Sequence, residues 1–382
     1  MRGHIRQRSP GHWAIILDIF KDGARKRKWH SFKGTKREAQ DECARLISAM
    51  KEGSYVETNK LTVGQHLIDR LAQWETSNKI GRKTAERYRE LINNQIIPFL
   101  GDKRLQKLKA FDIERWHNTL LTAGRKDGAG GISARTIGHA HRVLSKALKE
   151  AARFDLIVKN VASTEKPPTI DRGGEVQIVD EHRLKELLEK LRGRSIYPKV
   201  ILALFTGLRR GELLALRWRH VDFDRKMLEV REALEQTGAG VRVKAPKSRA
   251  GRRDITLPDI AVDTLREHRR AQLELRMRLG LGRLPDDNDL VFATLDGSLP
   301  SPKLLSEQWW KTAESIGMGD ITFHALRHTH ASQLIDAGVD VVTIAKRLGH
   351  SSPNITLGTY AHLFRQQDDK AATAINDALA KW

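Results

Sequence analysis

The chain has 382 residues, 40% of them hydrophobic and 30% charged, a length that predicts two or three globular domains. No apolar run approaches the ~20 residues that cross a bilayer, no signal-peptide pattern is present, and the single Cys43 excludes an internal disulfide, so we expect a cytoplasmic protein without a membrane span or thiol chemistry. The net charge of +21 indicates a polyanionic partner, nucleic acid above all, although a basic ribosome-bound protein would have a similar composition.

Residues 11–32 have the pattern of a β-hairpin. Apolar residues alternate from Trp13 to Ile19, and a turn at residues 21–23 leads into a basic strand made of Arg25, Lys26, Arg27 and Lys28. A helix is predicted next, because Thr35 and Glu38 form a capping box ahead of apolar residues at helical spacing. The basic strand is a candidate for insertion into a DNA groove, whereas a run of charge is more often only a solvated face.

Residues 61–160 are predicted to be wholly helical. Thr62, Thr84 and Ser133 are each placed to cap or start a helix, and a break is expected at Pro98 and Gly101.

Positive charge concentrates in the first part of the chain. Residues 1–60 contain 14 Lys+Arg against 7 Asp+Glu, and residues 61–160 contain 19 against 10, so 16 of the 21 net charges precede residue 161. Such an excess could neutralise phosphates, and Arg82 and Lys83 join the candidate DNA-binding residues.

From residue 176 the pattern is mixed and mainly helical, after a predicted linker at residues 161–175. We expect a helix over 180–191, short strands over 227–231, 240–244 and 253–257, and a last helix over 370–381. The net charge of this part of the chain is small, which is more typical of a catalytic domain.

Five short motifs in this last segment carry side chains suited to phosphodiester chemistry. These side chains are Arg209, Lys247, His324, Arg327, His350 and Tyr360. Moving a phosphodiester without a metal requires a nucleophile, cations against the charge of the transition state, and an acid for the departing oxygen. A phenol, two guanidiniums, an amine and imidazoles supply all of these.

Each residue also has an ordinary structural interpretation. Arg209 and Glu212 could be a helical ion pair, Lys247 could be solvated like the basic residues around it, and a tyrosine is most often structural. His324 and His328 are spaced like a zinc-binding pair, but the permanent charge of the arginine between them disfavours a metal. The functional hypothesis therefore depends on their joint occurrence.

Three of these blocks resemble the tyrosine recombinase, or phage integrase, family. TGLRRGELLAL is similar to the family's first arginine block, HALRHTHAS to its histidine-and-arginine block, and RLGHSSPNITLGTYAH to its histidine-to-tyrosine block, in the same order and spacing. The similarity extends to IIPFLGDKRL and DLIVKNVA in the helical segment. The first 60 residues resemble arm-binding domains, which favours a three-domain integrase of a phage or integrative mobile element.

The resemblance implies a role for each candidate residue. Arg209 and Arg327 would clamp the scissile phosphate, and Glu212 would orient the first arginine or a histidine. Lys247 would protonate the leaving 5′ oxygen, with Lys244 the less favoured alternative. His324 would accept the tyrosine proton, His350 would hydrogen-bond the phosphate, and Tyr360 would form a 3′-phosphotyrosyl link.

The implied fold is α+β and multidomain. A small β-hairpin/helix arm-type DNA-binding domain would occupy residues 1–58, an all-helical core DNA-binding domain residues 61–160, and the linker residues 161–175. A mainly helical catalytic domain with a small antiparallel sheet would occupy residues 176–382.

The implied partners are double-stranded DNA at attachment sites, a homotetramer formed on that DNA, and a DNA-bending protein or excisionase. No cofactor, metal or ATP is expected, and no Walker loop is found in the sequence. The last helix would dock on a neighbouring subunit, the alternative being that it packs on its own domain.

Two other functions remain open at this point. A type IB topoisomerase would use the same active-site residues, and a non-catalytic DNA-binding repressor would share the charge.

Overall fold

The protein is described here by a computed structural model that covers residues 2–21, 24–52, 55–169, 176–246, 249–282, 289–296, 298–364 and 368–380. The chain divides into two compact units, residues 1–171 and residues 172–382. Among the described residues, no helix combines the length and the apolar composition needed to span a bilayer.

The first unit begins with a three-stranded antiparallel sheet in the order β1-β2-β3. Its elements are β1 (Arg2–Ser9), β2 (His12–Lys21) and β3 (Ala24–Lys33), followed by α1 (Lys36–Lys51). Ile15 and Leu17 of β2 pack with Cys43 and Leu46 of α1, and Thr35 caps α1 with Glu38 as predicted.

The hairpin prediction was incomplete because it missed β1. The sequence of β1, RGHIRQRS, holds a single aliphatic side chain, Ile5, so it carries no apolar alternation. Its backbone pairs with β2 from Arg2 opposite Asp18 to Ser9 opposite His12, and this pairing rather than side-chain pattern makes it a strand.

The rest of the first unit is helical. Its helices are α2 (Val63–Thr76), α3 (Arg82–Leu91), α4 (Ile97–Leu100), α5 (Ala110–Ala123) and α6 (Ala134–Arg153). Thr62 and Ser133 cap α2 and α6 as predicted, each accepting a hydrogen bond from the backbone N–H three residues on. The start predicted at Thr84 was wrong, since α3 begins at Arg82 after Gly81.

The helix expected to break at Pro98 continues through it, and a π-helical turn lies just before this proline. Residues 92–96 form that turn directly before α4, and the helix ends at Gly101. Proline has no N–H and its ring crowds the carbonyl four residues earlier, so a wider turn lets the chain pass without ending the helix.

The second unit begins with three helices and five short strands. They are α7 (Glu181–Leu191), α8 (Tyr197–Thr206), α9 (Arg210–Leu214), β4 (Val221–Asp222), β5 (Met227–Val230), β6 (Ala233–Thr237), β7 (Gly240–Lys244) and β8 (Arg253–Thr256). The strands form an antiparallel sheet β4-β5-β8 and a separate hairpin β6-β7. The second unit thus contains the small antiparallel sheet that was predicted, together with the separate hairpin β6-β7, and β4 and β6 were missed.

Helices complete the second unit. They are α10 (Asp259–Arg278), α11 (Pro302–Ser315), α12 (Ala325–Asp336), α13 (Val341–Leu348), α14 (Pro353–Phe364) and α15 (Asp368–Leu379). The last helix lies two residues earlier than the predicted 370–381. A core of residues from α7 to α12 is extended by a smaller cluster in which Tyr360 packs with Ile344 and Leu348.

Candidate active site

Arg209 is placed by a tight turn between α8 and α9. Gly207 ends α8 with a left-handed backbone (φ 64°), and its N–H donates to the Ala203 carbonyl at 3.1 Å. A Cβ on Gly207 would lie 2.7 Å from side-chain atoms of His330 and of Leu348. The glycine thus lets α12 and α13 approach the turn closely, and Arg209 follows as the residue that precedes α9.

Glu212 holds Arg209 from the first turn of α9. Its Oε1 accepts from Arg209 Nη1 at 2.8 Å, and its Oε2 accepts from the Arg209 backbone N–H at 3.0 Å and from Arg253 Nη2 at 2.9 Å. Burial favours the neutral acid, but Arg253 and Arg209 outweigh burial and keep the pKa of Glu212 below its ordinary value. The predicted orienting role of Glu212 therefore has a geometric basis.

Arg327 lies on the first turn of α12 and is 4% exposed. Its guanidinium donates to the Gly207 carbonyl, to the Leu348 carbonyl at 2.7 Å, and to His350 Nε2 at 3.0 Å. Burial lowers the pKa of Arg327 to about 9, with Arg209 adding to the effect, so the side chain stays a cation at neutral pH.

His350 follows the left-handed Gly349 that ends α13. Because an arginine can only donate, His350 Nε2 must accept from Arg327, and Nδ1 then carries the proton and donates to Thr356 Oγ1 at 2.8 Å. Burial first, and then Arg327 and Arg209, lower the pKa of His350 to about 4. In this arrangement His350 is neutral and holds Arg327.

Tyr360 lies on α14 and is 2% exposed. Its hydroxyl is 2.6 Å from His328 Nδ1, and the two rings meet edge to face at 5.7 Å. Burial raises the pKa of Tyr360 to about 12, although the positive charge of Arg327 acts in the opposite direction. The phenol is therefore protonated and sheltered, and its hydrogen bond runs to His328.

His324 precedes α12 and stands beside His328, with ring centroids 4.6 Å apart. Burial, followed by the charges of Arg327, Arg209 and Arg210, lowers the pKa of His324 below its usual value. The Tyr360 hydroxyl contacts His328, one helical turn further along α12, and the proton-accepting role of His324 stays a prediction.

Among the described residues, the cluster carries more positive charge than Glu212 neutralises. Arg209, Arg253 and Arg327 surround Glu212, and Arg253 is as buried as its partner, with side-chain exposures of 6% and 5%. A buried cation without a counter-charge is costly, so the arrangement favours an anion beside Arg209 and Arg327.

Two site residues were missed in the sequence. Arg253, on β8, donates through Nε to the Arg347 carbonyl at 2.6 Å besides holding Glu212, but in the sequence it is one of several basic residues. His328 was considered only with His324 as a metal pair. Among the described residues, no group of three or more His, Cys, Asp or Glu side chains is placed to bind a metal.

The other predicted residues are not among the described members of this cluster. Lys247 falls outside the described residues, as do the side chains of Arg25 and Lys26. Lys244 pairs with Glu235 across the β6-β7 hairpin.

The remaining candidate DNA-binding cations belong to the first unit. Arg27 pairs with Asp18 at 3.3 Å and Lys28 with Glu57 at 3.0 Å. Arg82 and Lys83 occupy the exposed first turn of α3.

Comparison with known proteins gives two matches to family descriptions. Residues 177–367 match the phage integrase family, and residues 69–121 match the N-terminal SAM-like domain of phage integrases. The first match spans half of the chain and includes every residue of the cluster.

Curated relatives resemble the chain over most of its length. The "Tyrosine recombinase XerC-like" protein of Caldanaerobacter subterraneus subsp. tengcongensis is 28% identical over 96% of this chain and 96% of its own. The ICEBs1 integrase of Bacillus subtilis is 24% identical over 90% of this chain and 91% of its own.

Solved structures share the fold. The Tn1549 transposon integrase in complex with a circular intermediate DNA matches with a TM-score of 0.66 and 22% identity, covering 84% of this chain and 99% of that one. A lambda integrase tetramer bound to a Holliday junction matches with a TM-score of 0.53 and 20% identity, covering 91% of this chain and 96% of that one.

Proposed function

We propose that this chain, which belongs to the phage integrase family, is a site-specific recombinase that breaks and rejoins DNA through a 3′-phosphotyrosyl intermediate at Tyr360. The observation that carries the proposal is the convergence of Arg209, Arg327 and a buried phenol on one cationic cluster. Relatives named as integrases and tyrosine recombinases support it.

The two arginines keep donors for a phosphate. A guanidinium has five N–H donors. Arg327 uses three on Gly207, Leu348 and His350, and Arg209 uses two, on Glu212 and on the Gly349 carbonyl at 3.2 Å. The donors left over would bind the phosphate oxygens and stabilise the charge that builds up on them in the transition state.

The proposed chemistry conserves the energy of the phosphodiester. Tyr360 attacks phosphorus and gives its proton to a neighbouring histidine, for which the sequence predicts His324, while the bond to the 5′ oxygen breaks and Lys247 protonates that oxygen, so neither ATP nor a metal is required. Rejoining reverses these steps on a new 5′ hydroxyl. His350, which accepts from Arg327 in the structure, would donate to the phosphate only after taking up a proton, and the negative phosphate favours that uptake.

The first unit contains the proposed DNA-binding domains. We assign residues 1–58 to attachment-site arms and residues 61–160 to the core site, because most of the net charge lies there and residues 69–121 match an integrase SAM-like domain. Residues 161–175 are the proposed linker and residues 176–382 the catalytic domain. The element would be a phage or an integrative mobile element, with a DNA-bending protein or excisionase as accessory factor.

A tetramer on DNA is the proposed working assembly, as in the lambda integrase structure bound to a Holliday junction. In the last helix Ile375 is 61% exposed and Leu379 54% exposed, and these side chains are available to a neighbouring subunit.

A nicked suicide duplex carrying the attachment site tests the proposal. Cleavage in such a duplex releases a short strand and traps the protein on DNA, so a covalent adduct is expected on denaturing gels. Tyr360→Phe should bind the duplex normally and form no adduct, because the phenol oxygen is the nucleophile.

Two results would lead to the alternative functions. No adduct from the unmodified protein under any condition would favour a DNA-binding repressor. Efficient relaxation of supercoiled plasmid without an attachment site would favour a type IB topoisomerase. An adduct that survives Tyr360→Phe would overturn the assignment of the nucleophile.

A further inference from the structure

A cavity of about 550 Å³ lies beside the arginine cluster in the second unit, bounded by the start of α9, by α11 and by the loop between α11 and α12. His324 is one of its lining residues. Burial and then the charges of Arg327 and Arg209 lower the pKa of His324, so both cations lie near this ring. The cavity therefore adjoins the proposed position of the scissile phosphate, and its size is within the range of about 300–1,000 Å³ that is usual for ligand sites.

Arg210 brings a positive charge to the wall of this cavity. Among the described residues, its Nη1 donates to Ser306 Oγ, and no acidic side chain lines the cavity beside it. Burial lowers the pKa of Arg210, but a guanidinium still keeps its charge at neutral pH. A partly desolvated cation that retains unused N–H donors favours an anionic ligand, and a phosphate accepts such donors in pairs.

The apolar part of the cavity consists largely of aromatic rings. Trp309 and Phe323 pack edge to face with ring centroids 5.7 Å apart, and Trp309 Nε1 donates to the Ile321 carbonyl at 2.7 Å. Trp310 also lines the cavity, yet it is 59% exposed. An indole is a large apolar surface to leave in water, and this one is available to stack against a planar ligand.

A cation and an exposed aromatic ring beside a phosphate site are the means by which proteins hold single nucleotides of a DNA strand. The base stacks on the ring, and the backbone phosphate meets the cation. We infer that this cavity binds the nucleotide next to the scissile phosphate, with Arg210 on the adjoining phosphate and Trp310 against the base. The inference rests on the proposed function, and it assigns DNA binding, not proton transfer, to these two residues.

A nucleotide held in this way has left the stack of the duplex. Unstacking a base costs free energy, and a new aromatic surface offsets part of that cost. The nucleotide beside the break must separate from its own duplex before its strand can join a new partner. The cavity would therefore hold the released nucleotide close to the arginine cluster while strands are exchanged.

Neutral phosphate analogues test the contact with Arg210. Affinity is measured in the Tyr360→Phe background, which is expected to bind without cleaving, on nicked attachment-site duplexes in which a methylphosphonate replaces either phosphate that flanks the scissile one. Arg210→Gln retains a donor for Ser306 but has no charge. It should weaken binding to the unmodified duplex by about 10-fold, a typical value for a hydrogen bond to a charged group, and have no effect on one of the neutral duplexes.

Removal of the base tests the contact with Trp310. Trp310→Ala should weaken binding to the intact duplex by about 10-fold, which is within the range for stacking of one base, and should have no effect when the flanking nucleotide is abasic. Trp310→Phe, which retains a ring, should keep most of the affinity. Lys311→Ala is the matched control, because this exposed cation also lies on α11 but does not line the cavity, and it should respond to neither DNA change.

The inference would be overturned if Arg210→Gln and Trp310→Ala caused no loss of affinity, or the same loss on every duplex. It would also be overturned if the two variants bound DNA normally but no longer assembled into tetramers, since a neighbouring subunit would then cover the cavity. Failure of the unmodified protein to form any adduct on the suicide duplex would instead count against the proposed function itself.

Discussion

Burial and charge conflict most directly at Arg327. Desolvating a cation costs several kcal/mol, and here the cost is offset by two backbone carbonyls and a histidine nitrogen rather than by a carboxylate of its own. The side chain keeps its full charge next to Tyr360 and retains unused donors. The side chain of Arg327 is thus already oriented for an anion before the anion binds, so it needs little reorganisation during a reaction.

If Arg209 and Arg327 bind the scissile phosphate as proposed, DNA affinity and the rate of cleavage should respond differently to their removal. Arg209→Ala should leave DNA affinity nearly unchanged and slow cleavage by about 10³-fold or more, because the lost donors act on charge that develops in the transition state. Arg209 suits the experiment better than Arg327, since its side chain is 40% exposed and its removal disturbs the fold less. Filter binding and adduct formation measure the two effects, and equal losses in both would contradict the prediction.

Glu212 is predicted to be a stabilising residue as well as an orienting one. Glu212→Gln removes the only carboxylate in the described structure that contacts both Arg209 and Arg253, so the free energy of unfolding should fall by about 3 kcal/mol. The control is Glu186→Gln, which breaks an exposed pair with Lys190 and should cost far less stability, because solvent screens the pair. Denaturant titrations compare the two, and similar losses would rule out the buried network as the cause.

Short turns between helices set the geometry at the scale of elements. Gly207 ends α8 and Gly349 ends α13, both with left-handed backbones, and their carbonyls accept hydrogen bonds from Arg327 and Arg209 respectively. The two turns therefore set the direction of the next element and also provide hydrogen-bond acceptors for Arg327 and Arg209. A change in either turn would move a guanidinium as well as a helix.

Gly207→Ala tests this coupling. A left-handed non-glycine residue costs about 1–2 kcal/mol, and the new methyl group would also press on His330 and Leu348, which adds about 1–3 kcal/mol. Gly280→Ala is the matched control, because Gly280 has a similar φ of 69° but no atom within 4 Å of the added Cβ. Thermal unfolding should show the larger loss for Gly207→Ala, and equal losses would mean that the close contact is unimportant.

At the scale of the whole molecule the distribution of charge is the main feature. The first 160 residues hold most of the net charge of +21, whereas the described arginine cluster holds only a local excess of positive charge around Glu212. This distribution supports the proposal that DNA affinity and chemistry lie in different parts of the chain. Long-range attraction to DNA depends on salt, and the buried cluster is screened much less.

DNA binding is accordingly predicted to depend steeply on salt. Each phosphate-contacting cation that is removed should lower the slope of log K against log salt by about 1, so Arg82→Ala with Lys83→Ala should flatten it. A combined alanine replacement of residues 25–28 should do the same, although Arg27 and Lys28 are partly neutralised by Asp18 and Glu57. An unchanged slope in either variant would remove that segment from the interface.

The accuracy of the sequence-based predictions depends on the type of element. The capping residues Thr35, Thr62 and Ser133 were identified correctly, because a cap satisfies backbone N–H groups within its own turn and needs no distant partner. Strands β1 and β6 were missed, because their backbones are ordered by partners elsewhere in the chain and their side chains carry no clear alternation.

The sequence by itself determined the family, since three motif blocks with fixed spacing carry that information locally, and it supplied most of the candidate residues in their order. Only the tertiary structure decided which histidine meets Tyr360, that Arg253 shares Glu212, and that Arg327 is held by the ends of α8 and α13. Those contacts join residues 32, 41, 120 and 21 positions apart, and each depends on how packed helices and turns place side chains in three dimensions.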